Sequence, residues 1–331
     1  MDLQESGSFC NFALSIALIS RISITLRMQL DDKLMESSDS EGVRFTKMHG
    51  AGNDYIYING FQQPFMDYEA LAKEMSDPHF GIGADGLVVI LPSDTADFRM
   101  RMFNADGSEA EMCGNASRCI AKYVFDRHLT HESTITLETK AGIKTLYIKV
   151  EDKRVKEVTV DMGTPELSPE LIPVKSKNQN CMIDEPVKVN NKIYRITAVS
   201  MGNPHAVVFT DLITDSMVVG DGRMLEVADI FPRKANIECA RVVDNENIEM
   251  RVWERGTGET LACGTGACAT AVAAVLNGLA HRTVNLILTG GILRIHWDEE
   301  SNHVFMTGPA EFICDGVFYR PKKKGSLYAD K

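Results

Sequence analysis

Two pairs of residues in this 331-residue chain keep one separation: Asn53 and Cys113 are 60 positions apart, and so are Asn203 and Cys263. The second pair lies 150 residues beyond the first. Each asparagine follows a glycine, in "MHGAGNDY" and "SMGNPHAV", and each cysteine precedes one, in "EMCGNASRC" and "LACGTGAC". Behind both Cys-Gly steps the residues fall into a helical pattern, "NASRCIAKYVFDRH" and "GACATAVAAVLNGLA". Short β-rich runs such as "GLVVIL", "FRMRMF", "VKEVTV", "IYRITAV" and "VNLIL" fill much of the remainder from Phe45 onward. A repeated order of motifs is the mark of a duplicated unit. The expected fold is α/β in content and α+β in arrangement. It has two pseudo-symmetric domains, each a curled, mostly antiparallel β-sheet or barrel around a central helix, with the active site in the interdomain cleft. Residues 43–161 form the first expected domain, to which a C-terminal segment 309–322 returns, and residues 162–308 form the second.

Charge and cysteine usage narrow the function classes. With 35 basic against 46 acidic side chains the net charge is −11, which argues against an extended nucleic-acid surface. The eight cysteines are spread through a chain too large to be a disulfide scaffold, and this fits free thiols in a reducing compartment, hence the cytoplasm. No CxxC pair of the zinc type occurs, so no metal is expected. Residues 1–42 read as a disordered extension, with an organelle transit peptide as the alternative. Its apolar run "FALSIALIS" is too short to span a bilayer, and no other stretch is a membrane candidate.

A cysteine at a helix N-terminus sits where the dipole and the free N–H groups favour a thiolate. Those N–H groups also bind a carboxylate. Two such starts facing one another would let one thiolate take a proton from a carbon while the other thiol supplies one to the opposite face. The outcome is inversion next to a carboxylate. The N–H groups of Gly114, Asn115, Gly264 and Thr265 would carry the charge that develops there, and no cofactor is needed. The stretches "GIGADG" and "GTGACA" match dinucleotide-loop patterns but lack their context. A strand follows the first, and no acidic residue holds a ribose after the second.

The blocks "KMHGAGNDY", "FNADGSEAEMCGNASRC", "MGNPHAVVF", "FPRKANIE" and "ERGTGETLACGTGACA", in that order between Phe45 and Tyr319, resemble the diaminopimelate epimerases. The resemblance implies cofactor-independent interconversion of LL- and meso-diaminopimelate, in lysine and cell-wall precursor synthesis, by Cys113 and Cys263. In the direction usually written the first is proton donor and the second acceptor. His205 and Glu254 match positions that tune the thiols. Substrate contacts carry over to Asn53, Asn104, Gly114, Asn115, Asn203, Asn236, Glu254, Arg255, Gly264 and Thr265. Arg255 suits a distal carboxylate and Glu254 a distal ammonium. Two positions depart from the pattern: Gly86 stands where some relatives carry a substrate-contacting glutamine, and Ala116 where glycine is common. Cys119 and Cys268 read as packing residues, Arg118 reads as a surface charge, and the Glu254-Arg255 pair beside the second Cys-Gly step reads as turned inward. The partner expected is a small molecule, with no nucleic acid and no membrane, and a homodimer is compatible with the sequence. The rivals are a proline or hydroxyproline racemase type, and a single-thiol acyl-transfer or hydrolytic enzyme using Cys263 with His205 as base.

Overall fold

The computed structural model describes residues 42–63, 67–189 and 191–320. Most of the expected leading extension and of the basic tail therefore lies outside the described residues. Residues Val43–Phe318 form one compact unit that contains every side chain of the site.

Strands dominate, and they fall into two series. The first holds β1 (Gly42–Gly50), β2 (Asn53–Asn59), β3 (Gly86–Leu91), β4 (Phe98–Asn104), β5 (Glu109–Ala110), β6 (Thr134–Thr139), β7 (Gly142–Glu151) and β8 (Arg154–Asp161). Helices α1 (Tyr68–Ser76) and α2 (Gly114–Asp126) interrupt it. The second holds β9 (Glu185–Val189), β10 (Lys192–Ser200), β11 (Pro204–Phe209), β12 (Asn236–Asp244), β13 (Asn247–Glu254), β14 (Gly258–Thr260), β15 (Thr283–Leu288), β16 (Gly291–Trp297), β17 (Val304–Gly308) and β18 (Glu311–Tyr319). A π-helical turn Ser216–Asp221 leads into α3 (Gly222–Glu226), and α4 (Gly264–Leu276) follows β14.

The duplication is visible in the sense of each strand pair. From β1 through β2, β3, β4, β6, β7 to β8 the pairings run antiparallel, parallel, antiparallel, parallel, antiparallel, antiparallel. From β10 through β11, β12, β13, β15, β16 to β17 they run in the same order. The two series join where β8 and β17 pair antiparallel, with Val160 opposite Met306. At the far ends β9 adds to β10 and β18 adds to β1. The sheet is not closed, so of the two expected forms, curled sheet and barrel, the open one holds. The fold is mixed α+β and rich in strand.

The two long helices are central, and even the polar side chains Asn115, Ser117, Arg118 and Lys122 of the first are buried. Helix α2 is buried from Gly114 to Val124, and α4 is buried from Gly266 to Ala274. One apolar cluster joins Cys119, Ile120 and Val124 of α2 to Ala267, Cys268 and Val272 of α4, and takes in Val160 and Met306 at the junction of the series. Cys119 and Cys268 are fully buried there. Packing of this kind fixes where each helix begins, and both site cysteines stand at those beginnings.

Candidate active site

Both Gly-Asn steps turn the chain between paired strands. Gly52 has φ 84° and Gly202 has φ 97°, in the left-handed region where a side chain is strained. Glycine there lets Asn53 and Asn203 follow at the ends of tight reversals.

Cys113 and Cys263 are the N-cap residues of α2 and α4, each with extended backbone (φ −137°, ψ 123° and φ −113°, ψ 110°). Neither side chain caps its helix, and neither first turn carries an acidic residue. The first-turn N–H groups therefore keep donors for an anion. The two starts converge on one side chain: a Cβ on Gly114 would stand 2.4 Å from Met306 Cε, and one on Gly264 would stand 3.0 Å from Met306 Sδ. Asn115 ties them together. Its Nδ2 donates to Asn53 Oδ1 at 3.2 Å and to the carbonyl of Ala262 at 3.4 Å, the residue before Cys263. The Cys113 thiol lies 3.5 Å from Asn53 Oδ1, and the Cys263 sulfur lies 3.5 Å from Thr265 Oγ1. All described cysteines are free.

The helix ends do not win the contest over thiol ionisation. Burial pushes Cys113 above the ordinary thiol range, opposed by the backbone N–H groups of Ala116 and Asn115 and by the charge of Arg118. Cys263 is held still higher, first by burial and then by the carboxylates of Glu254 and Glu238, with only Thr265 and the Gly266 N–H pulling the other way. The expectation that a helix start lowers the thiol pKa is thus corrected. The donors favour each thiolate, but desolvation of a sulfur in this core is larger.

Matches to known proteins bear on the same residues. The diaminopimelate epimerase family model matches residues 45–168 and 197–313, which include both cysteines. A diaminopimelate epimerase from Desulfovibrio desulfuricans is 56% identical over 282 residues, 84% of this chain and 98% of the relative. The chain belongs to the diaminopimelate epimerase family. A second relative of that name, from Acetivibrio thermocellus, is 54% identical over 274 residues, 83% of this chain and 98% of its own. A solved structure described as a probable proline racemase from Agrobacterium radiobacter K84 superposes with TM-score 0.62 at 15% identity, covering 83% of this chain and 92% of that one. That likeness shows the fold alone.

The other residues that the epimerase resemblance points to are distributed unevenly. Asn53 is anchored from both ends of its amide: Nδ2 donates to Asp85 Oδ2 at 2.6 Å, while Oδ1 receives Asn115. His205 is fully buried; its Nε2 is 2.9 Å from Asn203 Oδ1, and its Nδ1 donates to Glu238 Oε1 at 2.6 Å. Glu254 takes a hydrogen bond from Thr260 Oγ1 and faces the Cys263 thiol, and burial raises its carboxyl above the usual range. Asn236 spends its amide locally, donating to the Pro204 carbonyl at 3.0 Å and accepting the Arg255 N–H at 2.9 Å. That second bond fixes the turn from which the exposed Arg255 side chain extends. Asn104 is exposed, and its Nδ2 donates to Ser108 Oγ.

Three residues beside the site escaped the sequence reading. Glu238, fully buried, would stand 2.7 Å from a Cβ on Gly266, the same point that is 3.3 Å from the Cys263 sulfur. Glu226, buried on α3, accepts from Trp253 Nε1 at 2.9 Å and from the Gly256 N–H at 3.1 Å, bracketing the Glu254-Arg255 turn. Asp85 holds Asn53. Each lies outside the Cys-Gly blocks, and a lone carboxylate in a strand or turn reads as surface charge until the pairing of β11 with β12 brings His205 opposite Asn236 and Glu238 into reach.

Proposed function

We propose that this chain interconverts LL- and meso-diaminopimelate without a cofactor, using Cys113 and Cys263 as its two acid/base groups. The observation that carries the reading is the convergence of two uncapped helix starts, each led by a free cysteine, bridged by Asn115 and seated on Met306. One thiolate breaks the Cα–H bond and takes the proton, and the electron pair passes into the α-carboxylate. The first-turn N–H groups of both helices stabilise that charge. The other thiol then gives its proton to the opposite face and is left as thiolate, so the pair ends in the reverse protonation state. Each cysteine is donor in one direction and acceptor in the other.

At the far end of the substrate, Arg255 would receive the distal carboxylate and Glu254 the distal ammonium, with the asparagine amides completing the fit. Leaving those groups unpaired disfavours simple amino acids. Cytoplasmic placement agrees with the free thiols, and among the described residues no helix is long and apolar enough to cross a membrane. A homodimer would use the outer strand β18, where Ile313 and Val317 are exposed, and sedimentation of the purified protein tests it.

The test of the reaction is incubation of freshly reduced protein with LL-diaminopimelate in heavy water, with Cys113→Ser and Cys263→Ser alongside. Deuterium at Cα and meso product are expected from the wild type, with both variants losing epimerisation. No exchange by the wild type overturns the reading, and full activity in either variant overturns the two-thiol mechanism.

A further inference from the structure

The pseudo-symmetry of the two helices breaks at one pair of positions. Arg118 is the fifth residue of α2, and the fifth residue of α4 is Cys268. Arg118 is the largest fully buried side chain of the described residues, and every partner it has is neutral. Its Nη2 donates to Asn115 Oδ1 at 2.8 Å, Nε to the Pro309 carbonyl at 3.2 Å, and Nη1 reaches the Gly114 carbonyl at 3.5 Å and Met306 Sδ at 3.6 Å. Among the described residues it makes no ion pair with a carboxylate.

Room for the guanidinium is built in. A Cβ on Gly50 would come within 3.1 Å of Nη2, and one on Gly308 within 3.1 Å of Nε. A buried cation with no counter-charge is expensive, and two glycines and four acceptors arranged around it imply that the charge is wanted there.

We propose that Arg118 is a positioning residue of the proton-transfer site: it clamps Asn115 and the Cys113 helix start, and it supplies the fixed positive charge that sets the first thiol apart from the second. The proposal rests on the two-thiol reading above. The charges around the two sulfurs then differ, with a cation beside the first and a second carboxylate beside the other. Cys113 is faced by Arg118 from its own helix, by Tyr55 and Tyr57 of β2, by Cys119, and by Glu254 of β13. Cys263 is faced by Glu254 and by Glu238 of β12, and its own helix offers the neutral Cys268 where α2 has the cation. Of the two sulfurs Cys113 is the first to give up its proton as pH rises, and Cys263 holds its proton longer. Arg118 thereby gives the site a defined starting state from which one direction of proton transfer begins.

The order of ionisation can be read without substrate. Reduced protein is pulsed with iodoacetamide across a pH series, and labelling of the Cys113 and Cys263 peptides is followed by mass spectrometry. Wild type should label at Cys113 first, with Cys263 following at higher pH. Arg118→Met should slow Cys113 labelling at neutral pH by about tenfold or more, since each unit of pKa is a factor of ten in thiolate, and erase the order. Arg118→Lys, which keeps a cation, should preserve it. Wild type labelling first at Cys263 overturns the proposal, as does an Arg118→Met protein with native circular dichroism that keeps the wild-type order. Should Arg118→Met fail to fold, the wild-type order and the Arg118→Lys protein decide in the same way. Loss of heavy-water exchange with an intact labelling order would count against the epimerase reading alone.

Discussion

The Glu238 carboxylate accepts a 2.6 Å hydrogen bond from His205 Nδ1 with neither residue exposed, and its second oxygen has no partner among the described residues. The group that feels this carboxylate is the Cys263 thiol nearby. His205 in turn reaches Asn203 at the tip of its turn. The three form a line from strand β12 to the second Gly-Asn step.

Glu238→Gln should move ionisation of Cys263 toward lower pH. The carboxylate is one of the causes that raise that thiol, so its neutralisation acts in the opposite sense to burial. We expect Cys263 alkylation to begin at lower pH than in wild type, and kcat/KM to fall about tenfold as the positioned imidazole loses its anchor. An unchanged Cys263 labelling profile would remove Glu238 from the site.

Asn115→Ala removes three links at once. Its amide joins Asn53, the Ala262 carbonyl and the Arg118 guanidinium, and all three partners lie in or beside the site. The buried Arg118 donor left unpaired should cost about 1–3 kcal/mol of stability. Urea unfolding at neutral pH measures this, and kcat should drop with it because the two helix starts lose their bridge. A variant of wild-type stability would show that water replaces the amide without loss.

Gly86→Gln introduces the glutamine that the resemblance leads one to expect at this position. The backbone here argues against it. A Cβ at Gly86 would lie 2.1 Å from the Phe103 carbonyl oxygen, across the register that pairs Gly86 with Asn104. The strand must shift to admit any side chain, and overpacking of this kind costs about 1–3 kcal/mol. The expected outcome is lower stability in urea with no gain in KM for diaminopimelate. A stable variant with lower KM would mean that β3 and β4 can open at this point.

How much of this the sequence carried depends on distance along the chain. The Cys-Gly starts and the Gly-Asn turns were legible because each is a local device, a helix N-terminus or a left-handed glycine, and because each occurs twice at one spacing. The sense of every strand pair was not, since parallel pairs such as β2 with β3 and β11 with β12 join segments separated by long connections. Arg118 shows the same limit in one side chain. Its helical position could point outward or inward, and what decides is Gly50 and Gly308, which are distant in sequence and leave the space it fills. The thiol pKa direction also escaped, because a helix dipole can be read from a motif while the depth of burial cannot.

That depth of burial has a measurable consequence for stability. Cys119, Cys239 and Cys268 are pushed from the ordinary value of 9.0 up to about 12, in each case first by burial, and Cys113 and Cys263 are raised as well. In the unfolded chain these thiols ionise near 9 while the folded protein keeps them protonated, so unfolding releases protons at alkaline pH. The folded-state values are the raised ones. Stability from these groups is therefore fully present below the unfolded value, and it is lost as pH rises from about 9 toward about 12. Urea midpoints under reducing conditions should be level through neutral pH and fall above about 9. Catalysis should run the other way at first, because raised thiols leave little thiolate at neutral pH. The exchange rate should climb about tenfold per pH unit on the acid limb. Cys119→Ala with Cys268→Ala should lower stability at neutral pH through the lost packing, yet flatten its alkaline decline and leave the acid limb of the rate in place. A decline as steep in that double variant as in wild type would show that other groups, not the buried thiols, govern the alkaline edge.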